Sequence, residues 1–265
     1  MELIGYILAL FVGLSLGLIG SGGSIFTLPI LVYVMGIPTI EATAYSLFIV
    51  GSTAVFSSIQ YAKQKLIDYK TAVIFGIPSI VAVYMSRKFI VPQIPDVIST
   101  IGNFQLTKSI AMMLLFSVVM LLASISMLKS GKREENTEKQ VKLNLPLIAI
   151  EGLLVGTLTG LVGAGGGFLI IPALTLLAGL PMKKAIGTSL MIISLKSLLG
   201  FIGDIETQAH IDWLLLTVFT AVSILGGTIG YKLAKKTDGG KLKVIFAYVV
   251  MSMGIYIIIK ELLIK

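Results

Sequence analysis

Long apolar stretches separated by short polar segments make up most of this chain. Several approach or exceed the roughly 20 apolar residues that cross a bilayer. Two stretches, 24–36 and 167–178, would be only about 18–20 Å long as helices, so each is expected to fold back on the preceding helix as a broken or re-entrant hairpin. The pattern predicts helices over residues 3–19, 24–36, 40–62, 70–88, 107–128, 145–162, 167–178, 184–203, 212–233 and 243–261.

The composition identifies the environment of these helices. Of the 265 residues, 56% are hydrophobic and 13% are charged, whereas a soluble domain carries about 25% charged residues. We therefore predict an all-α polytopic membrane protein that contacts the lipid bilayer. The chain has no cysteine and one histidine, His210. Disulfides, thiolate sites and multi-histidine sites are thus excluded, and we expect no metal and no cofactor.

The basic residues predict the orientation of the chain. A net charge of +8 is better explained by cytoplasmic loops, which collect lysine and arginine, than by nucleic-acid binding. Of the 21 basic residues, 15 fall on the side that carries the polar central segment, five fall on the N-terminal side, and Lys196 lies within a span. We therefore expect a multi-pass protein of the cell (cytoplasmic) membrane with both termini outside.

A glycine-rich signature occurs twice. Its elements Gly20, Pro29, Pro38 and Ser46 each recur 143 residues later, as Gly163, Pro172, Pro181 and Ser189. The duplication predicts a first membrane repeat over 1–128, a cytoplasmic linker over 129–143 and a second membrane repeat over 144–265. Each copy would contain a Gly-broken helical hairpin, which returns to its starting side, and three transmembrane helices. An odd number of crossings per copy predicts two inverted-topology repeats, an arrangement found in secondary transporters.

The two glycine loops are the first candidate binding site. Helices that begin near Ser24 and Gly167 would direct unsatisfied N–H groups and positive dipole ends into the loops, as an anion site requires. Alternatively, the glycines only allow close helix crossing, as the series Gly152, Gly156 and Gly160 does. We favour the site, because close packing does not require the same loop twice. Its candidate residues are Gly20, Ser21, Gly22, Gly23, Ser24, Gly163, Ala164, Gly165, Gly166 and Gly167.

Charged residues inside spans are the second candidate feature. Lys196 falls near the middle of its helix, where a charge is costly and usually functional, so we expect it to attract an anion; the alternative is a structural lysine. Glu151 is the one acid well inside a span and could pair with Lys196 or carry a proton, unless it only faces a wet vestibule. Asp204, by contrast, is expected with Asp212 in a solvated outer loop, and Val91–Gln105 is expected as an outer insertion without a counterpart.

The paired G-x-G-G loops, each followed by G-h-P and an A-x-x-x-S-L helix start, resemble the TauE/SafE sulfite-exporter-like family of membrane permeases. The two starts read Ala42–Leu47 and Ala185–Leu190, and the resemblance covers nearly the whole chain. It implies a permease that exports sulfite or small organosulfur anions. The copies differ where Thr188 precedes Ser189 but Tyr45 precedes Ser46, which makes Thr188 and Ser189, with Ser46, candidates for polar substrate contacts.

Together these features predict a secondary transporter that exports small anions by alternating access around a midplane site at the two loops. The alternative is a passive anion channel with the same site. A membrane enzyme is disfavoured because the chain lacks cysteine and paired intramembrane carboxylates, so no catalytic residue is assigned. With no ATPase signature, the membrane potential or a proton gradient would supply the energy. The sequence leaves open whether the protein forms a homo-oligomer.

Overall fold

The computed structural model describes residues 2–101, 104–130, 145–163, 165–176, 178–205 and 211–263, and these residues are mostly helical. Most of the predicted linker and the loop residues Ala164 and His210 lie outside these ranges. The helices of the described residues are α1 (Glu2–Ile19), α2 (Gly22–Pro29), α3 (Thr39–Lys63), α4 (Tyr69–Met85), α5 (Val91–Gln93), α6 (Lys108–Ser130), α7 (Leu145–Val162), α8 (Gly167–Leu176), α9 (Met182–Ile205), α10 (Trp213–Lys236) and α11 (Gly239–Leu263).

The helices confirm an all-α polytopic membrane protein. Within the described ranges, six helices are long and apolar enough to cross a membrane: α3, α4 with its extension to Gln93, α6, α9, α10 and α11. Many large apolar side chains on these helices are exposed, for example Leu122, Leu214 and Leu225. Such a surface suits lipid, which solvates apolar side chains and leaves backbone groups to be satisfied inside each helix.

The first short hairpin consists of α1, α2 and a π-helical turn at Ile30–Val34 that follows Pro29 directly. Proline lacks the N–H that would continue the α-helical ladder, which accounts for the change of helix type there. Gly5 lies against Met35, and the rings of Phe11 and Phe26 meet edge to face at 5.0 Å. The hairpin therefore returns to the side on which α1 begins, which we call the N-terminal side.

The second short hairpin, α7 with α8, bends at glycines that have positive φ. These are Gly163, Gly165 and Gly166, with φ of 72°, 64° and 63°; Gly20 in the first hairpin has φ of 80°. Side chains disfavour this conformation, and glycine adopts it freely. The bends therefore depend on the residue type that the duplicated signature supplies.

The helix contacts repeat between the two halves of the chain. α1 packs on α10 as α7 packs on α4, while α3 packs on α9 and α6 on α11. Replacing each helix by its counterpart in the other half reproduces the same pairs. α3 and α9 run antiparallel, because Leu47 contacts Gly200 whereas Tyr61 contacts Gly187.

Glycines bring the paired helices into backbone contact. A Cβ atom on Gly13 or Gly17 of α1 would overlap the carbonyl oxygen of Ser223 or Gly227 on α10. On α7, the glycine series considered above packs against α4 in the same way, and a Cβ on Gly156 would lie 2.5 Å from the carbonyl oxygen of Ser79. Close approach of this kind lets membrane helices gain packing energy without a hydrophobic driving force.

The insertion after α4 contains two strands that the sequence pattern did not predict. β1 (Val97–Ile101) and β2 (Phe104–Thr107) pair antiparallel, with Val97 opposite Thr107. The backbone N–H of Lys108 donates to the carbonyl of Asp96, and its ammonium donates to the carbonyl of Val91. Most of the hairpin is exposed, so it lies beside the helix bundle without contributing to the core.

Replacing Gly17 with alanine is expected to destabilise the protein by about 1–3 kcal/mol, because the added Cβ overlaps the backbone of α10. Gly76→Ala is the matched control, since among the described residues its Cβ would meet only Ile192, at 3.8 Å. Thermal unfolding of the two purified variants in detergent checks this. Equal melting temperatures for the two would contradict the packing described here.

Candidate functional site

The two glycine loops lie side by side in the interior. A Cβ on Gly167 would lie 2.5 Å from the Cβ of Ser21, and one on Gly165 would lie 3.6 Å from the Cβ of Ser24. All four residues are buried. The N-terminal ends of α2 and α8 therefore face a shared region, with backbone N–H groups that lack intrahelical acceptors.

Helices α3 and α9 flank the loops at equivalent positions. Gly20 packs against Ile186 of α9, and Gly163 packs against Thr43 of α3, the residue 143 positions before Ile186. Ser189 of α9 donates to the carbonyl oxygen of Ile186 at 2.8 Å and lies 3.5 Å from the carbonyl oxygen of Gly20. The repeated signature thus places the beginnings of α3 and α9 against the loops in both halves.

Lys196 reaches the second loop from α9. Its side chain is 1% exposed, and its Nζ lies 3.2 Å from Thr159 Oγ1 and 3.0 Å from where a Cβ on Gly166 would stand. Among the residues that the structure describes, no carboxylate pairs with this ammonium. A buried ammonium without a counter-charge is costly, which distinguishes this lysine from one at the surface.

Several buried hydroxyls around the loops have no hydrogen-bond partner among the residues that the structure describes. Ser21 belongs to the first loop. Ser197 lies beside the second loop, where a Cβ on Gly165 would be 3.2 Å from its Oγ. Ser46 lies on α3 between Thr43 and Val50, which both contact the second loop. Buried polar groups are rarely left unpaired, so each unpaired hydroxyl needs an explanation. Together with Lys196 and the helix ends, they form a set of donors suited to a small anion.

Thr188 hydrogen-bonds to the start of a neighbouring helix. Its Oγ1 accepts a hydrogen bond from the backbone N–H of Asp68, at 2.9 Å, where α4 begins. Tyr45, its counterpart, accepts from the backbone N–H of Asp212, at 2.8 Å, where α10 begins. In each half, the hydroxyl of this residue accepts a hydrogen bond from the backbone at the start of the next long helix. Threonine and tyrosine therefore make equivalent contacts.

Two further candidate residues, Ser24 and Glu151, form no hydrogen bond that connects the two loops or reaches Lys196 in the described residues. Ser24 Oγ donates to the carbonyl oxygen of Ser21 at 2.7 Å and so closes its own loop. Glu151 is partly exposed on α7, eight residues from Thr159, which is about 12 Å along a helix. In the described part of the chain, no bond joins Glu151 to Lys196.

A buried ion pair lies beside the second loop, and the sequence analysis missed it. Arg87 donates to both carboxylate oxygens of Asp204, with its Nε 2.7 Å from Oδ1 and its Nη2 2.6 Å from Oδ2. Asp204 was expected in a solvated loop, but α9 extends to Ile205 and buries it. A usable signal was present: Arg87 is the one arginine inside a predicted helix.

Broken helical hairpins that meet around a buried cation inside a bundle of membrane-spanning helices are typical of membrane transporters, and the family and relatives given next make this chain a polytopic membrane transporter and not an enzyme. The family model described as "Sulfite exporter TauE/SafE" matches residues 6–257. The chain belongs to the TauE/SafE family.

Curated relatives cover nearly the full length of the chain. A "Probable membrane transporter protein" of Xylella fastidiosa is 30% identical, over 93% of this chain and 91% of the relative. Proteins of the same description from Methanocaldococcus jannaschii and Bacillus subtilis, the latter named YunE, are 29% and 28% identical, each over 95% of both chains. No solved structure matches the chain.

Replacing Ser197 with alanine is expected to leave the stability of the ligand-free protein unchanged or to raise it by up to about 1–3 kcal/mol, because it removes a buried hydroxyl that has no partner in the described part of the chain. Thr159→Val is the control, since it removes the hydroxyl that Lys196 contacts and should destabilise. Thermal unfolding without added anions checks both. A clear loss of stability in Ser197→Ala would mean that its hydroxyl is already satisfied.

Proposed function

We propose that the protein is a secondary transporter that exports small anions, such as sulfite or organosulfur acids, through a site between the two glycine loops. The observation that carries the proposal is the ammonium of Lys196, buried beside the second loop without a carboxylate partner in the described residues. A bound anion would offset the cost of burying this charge and would accept hydrogen bonds from Ser21 and Ser197.

The make-up of the site favours a compact oxyanion. Its donors are main-chain N–H groups at the starts of α2 and α8, hydroxyls and one ammonium, and the Gly165–Gly167 segment lets a ligand approach the backbone closely. The TauE/SafE family is described as one of sulfite exporters, and sulfite has three oxygens that can accept such bonds. Sulfonates present a similar group of three oxygens on sulfur.

Inverted repeats are the proposed basis of alternating access. The repeated helix pairs and the antiparallel run of α3 against α9 support a two-fold relation whose axis lies across the helices. In this arrangement one half would rock against the other, and the site would open to each side in turn. The close packing of Ser21 on Gly167 favours such a carrier over a continuously open channel.

The membrane potential would be sufficient to drive export. An inside-negative potential favours the exit of an anion by about 2.3 kcal/mol per charge for each 100 mV, so no coupled proton is required. Glu151 is the candidate if a proton is coupled. The proposed location is the cell membrane, with both termini outside, because the basic loops would then face the cytoplasm.

Lys196→Met is expected to reduce anion flux by roughly tenfold to a hundredfold, because a hydrogen bond to a charged group contributes about 1.5–3 kcal/mol. The measurement is uptake of sulfite, sulfate, thiosulfate and methanesulfonate by proteoliposomes under an imposed potential. Lys184→Met, an exposed lysine at the start of the same helix, is the control and should transport normally.

The same assay separates the alternatives. Wild-type flux in Lys196→Met would remove this lysine from the mechanism. Saturable counterflow would support a carrier, whereas single-channel currents would support the channel instead.

Single cysteines introduced at Ser130 and Asp238 are expected to be labelled from the cytoplasm, and one at Ser99 from the outside. Ser99 lies in the exposed strand β1 on the N-terminal side, and the natural chain has no cysteine to interfere. The measurement is labelling of intact cells by a membrane-impermeant maleimide. Labelling of Ser130 and Asp238 from opposite sides would rule out the inverted topology.

A further inference from the structure

The second glycine loop lies between two buried cations. Lys196 approaches the loop at Gly166. Arg87 approaches its other end, because its Nη2 donates at 2.9 Å to Thr43 Oγ1 and Thr43 packs on Gly163. The two cations also contact consecutive residues of α7: Lys196 bonds to Thr159, and Arg87 Nη1 lies 3.4 Å from the carbonyl oxygen of Gly160.

The Arg87–Asp204 pair is not a requirement of the helix packing. The counterpart of Asp204, 143 residues earlier, is Tyr61, and the counterpart of Gly160 is Gly17. Tyr61 donates its hydroxyl to the carbonyl oxygen of Gly17 at 3.1 Å and packs edge to face on Tyr231 at 5.1 Å. The same junction in the other half is therefore made by two uncharged rings.

Stability does not explain the charges either. Arg87 and Asp204 are 1% and 3% exposed, and the desolvation of two ions in a buried pair largely cancels their attraction. An apolar or aromatic contact, as at Tyr61 and Tyr231, would join the helices at lower cost. The charges thus call for a function beyond joining α4 to α9.

The geometry of the pair matches the recognition of an oxyanion. The Nε and Nη2 groups of Arg87 already hold both oxygens of a carboxylate, which is the bidentate arrangement that guanidinium offers to carboxylates and related anions. Asp204 follows Lys196 by eight residues, about 12 Å along α9, and stands one residue before the helix ends. Released from Arg87, its carboxylate would be near the water on the N-terminal side.

We propose that Arg87 is a second anion-binding residue of the transport path, on the N-terminal side of Lys196, and that Asp204 is an internal competitor that occupies Arg87 when no anion is there. This inference rests on the proposed function. A transported anion displaces the carboxylate of Asp204 from Arg87, which opens the contact between α4 and α9. When the anion leaves, Asp204 returns and closes that side.

The first variant removes the competition of Asp204 for Arg87, and the second removes the proposed binding site at Arg87 itself. Asp204→Asn keeps the size of the side chain but removes the competing charge, so the KM for the transported anion should fall by roughly tenfold, and the maximal rate should fall because release is slower. The double variant Arg87→Met with Asp204→Leu removes both charges at similar volume and should lose roughly tenfold to a hundredfold in flux. Arg87→Lys keeps the positive charge but loses the bidentate pair of N–H donors, so it should raise the KM for the anion.

Flux is measured in proteoliposomes with whichever of sulfite, sulfate, thiosulfate or methanesulfonate the wild-type protein transports. Tyr61→Phe is the control: it removes the equivalent bond to Gly17 in the other half and should leave the KM unchanged. Size-exclusion profiles and melting temperatures establish that each variant is folded.

The proposal is overturned if the folded double variant transports with the wild-type KM and rate, or if Asp204→Asn leaves the KM unchanged. It is also overturned if both variants fail to fold while Tyr61→Phe folds, since the pair is then structural. These results differ from failure of the proposed function itself. If the proposed function is wrong, the wild-type protein transports none of the four anions. If Lys196→Met is defective but the double variant transports normally, only the role of Arg87 is overturned.

Discussion

Backbone polar groups inside a bilayer need partners within the protein, because lipid supplies none. The breaks between α1 and α2 and between α7 and α8 release such groups, so both breaks have to be enclosed. They enclose each other, with Ser21 on Gly167, and α3 and α9 cover them at Thr43 and Ile186. The rest of the bundle holds these four elements together. Because lipid cannot satisfy the broken helices, their free N–H groups are enclosed in the interior of the protein.

Glycine serves two distinct purposes in meeting this requirement. In the loops, Gly20, Gly163 and Gly166 adopt positive φ and allow the chain to turn. In the helices, Gly13 and Gly17 let α1 approach the backbone of α10. Close helix crossing therefore explains the glycines within the helices, and the need for a turn explains those in the loops. Close packing of the outer helices fixes the hairpins, and the turns then bring their ends to the centre.

Charge breaks the near symmetry of the two halves. The second half contributes Lys196, whose counterpart is Thr53, and Asp204, whose counterpart is Tyr61. Both charged residues lie on one helix, α9, whereas the matching positions of α3 carry neutral residues. The backbone framework is thus duplicated, whereas the buried cations Lys196 and Arg87 both lie near the second loop. A transported solute would therefore meet different groups before and after the centre.

Much of this protein is determined by local features that can be identified in the sequence. Apolar runs of sufficient length specify membrane helices, the repeat of Gly20 at Gly163 specifies two broken hairpins, and burial in a span makes Lys196 exceptional. Partners were decided only by the tertiary structure. Thr188 bonds to Asp68 and Arg87 pairs with Asp204 across more than a hundred residues, and no local pattern records such distances. Whether a polar side chain faces a ligand, caps another helix or neutralises a charge depends on which helix packs beside it.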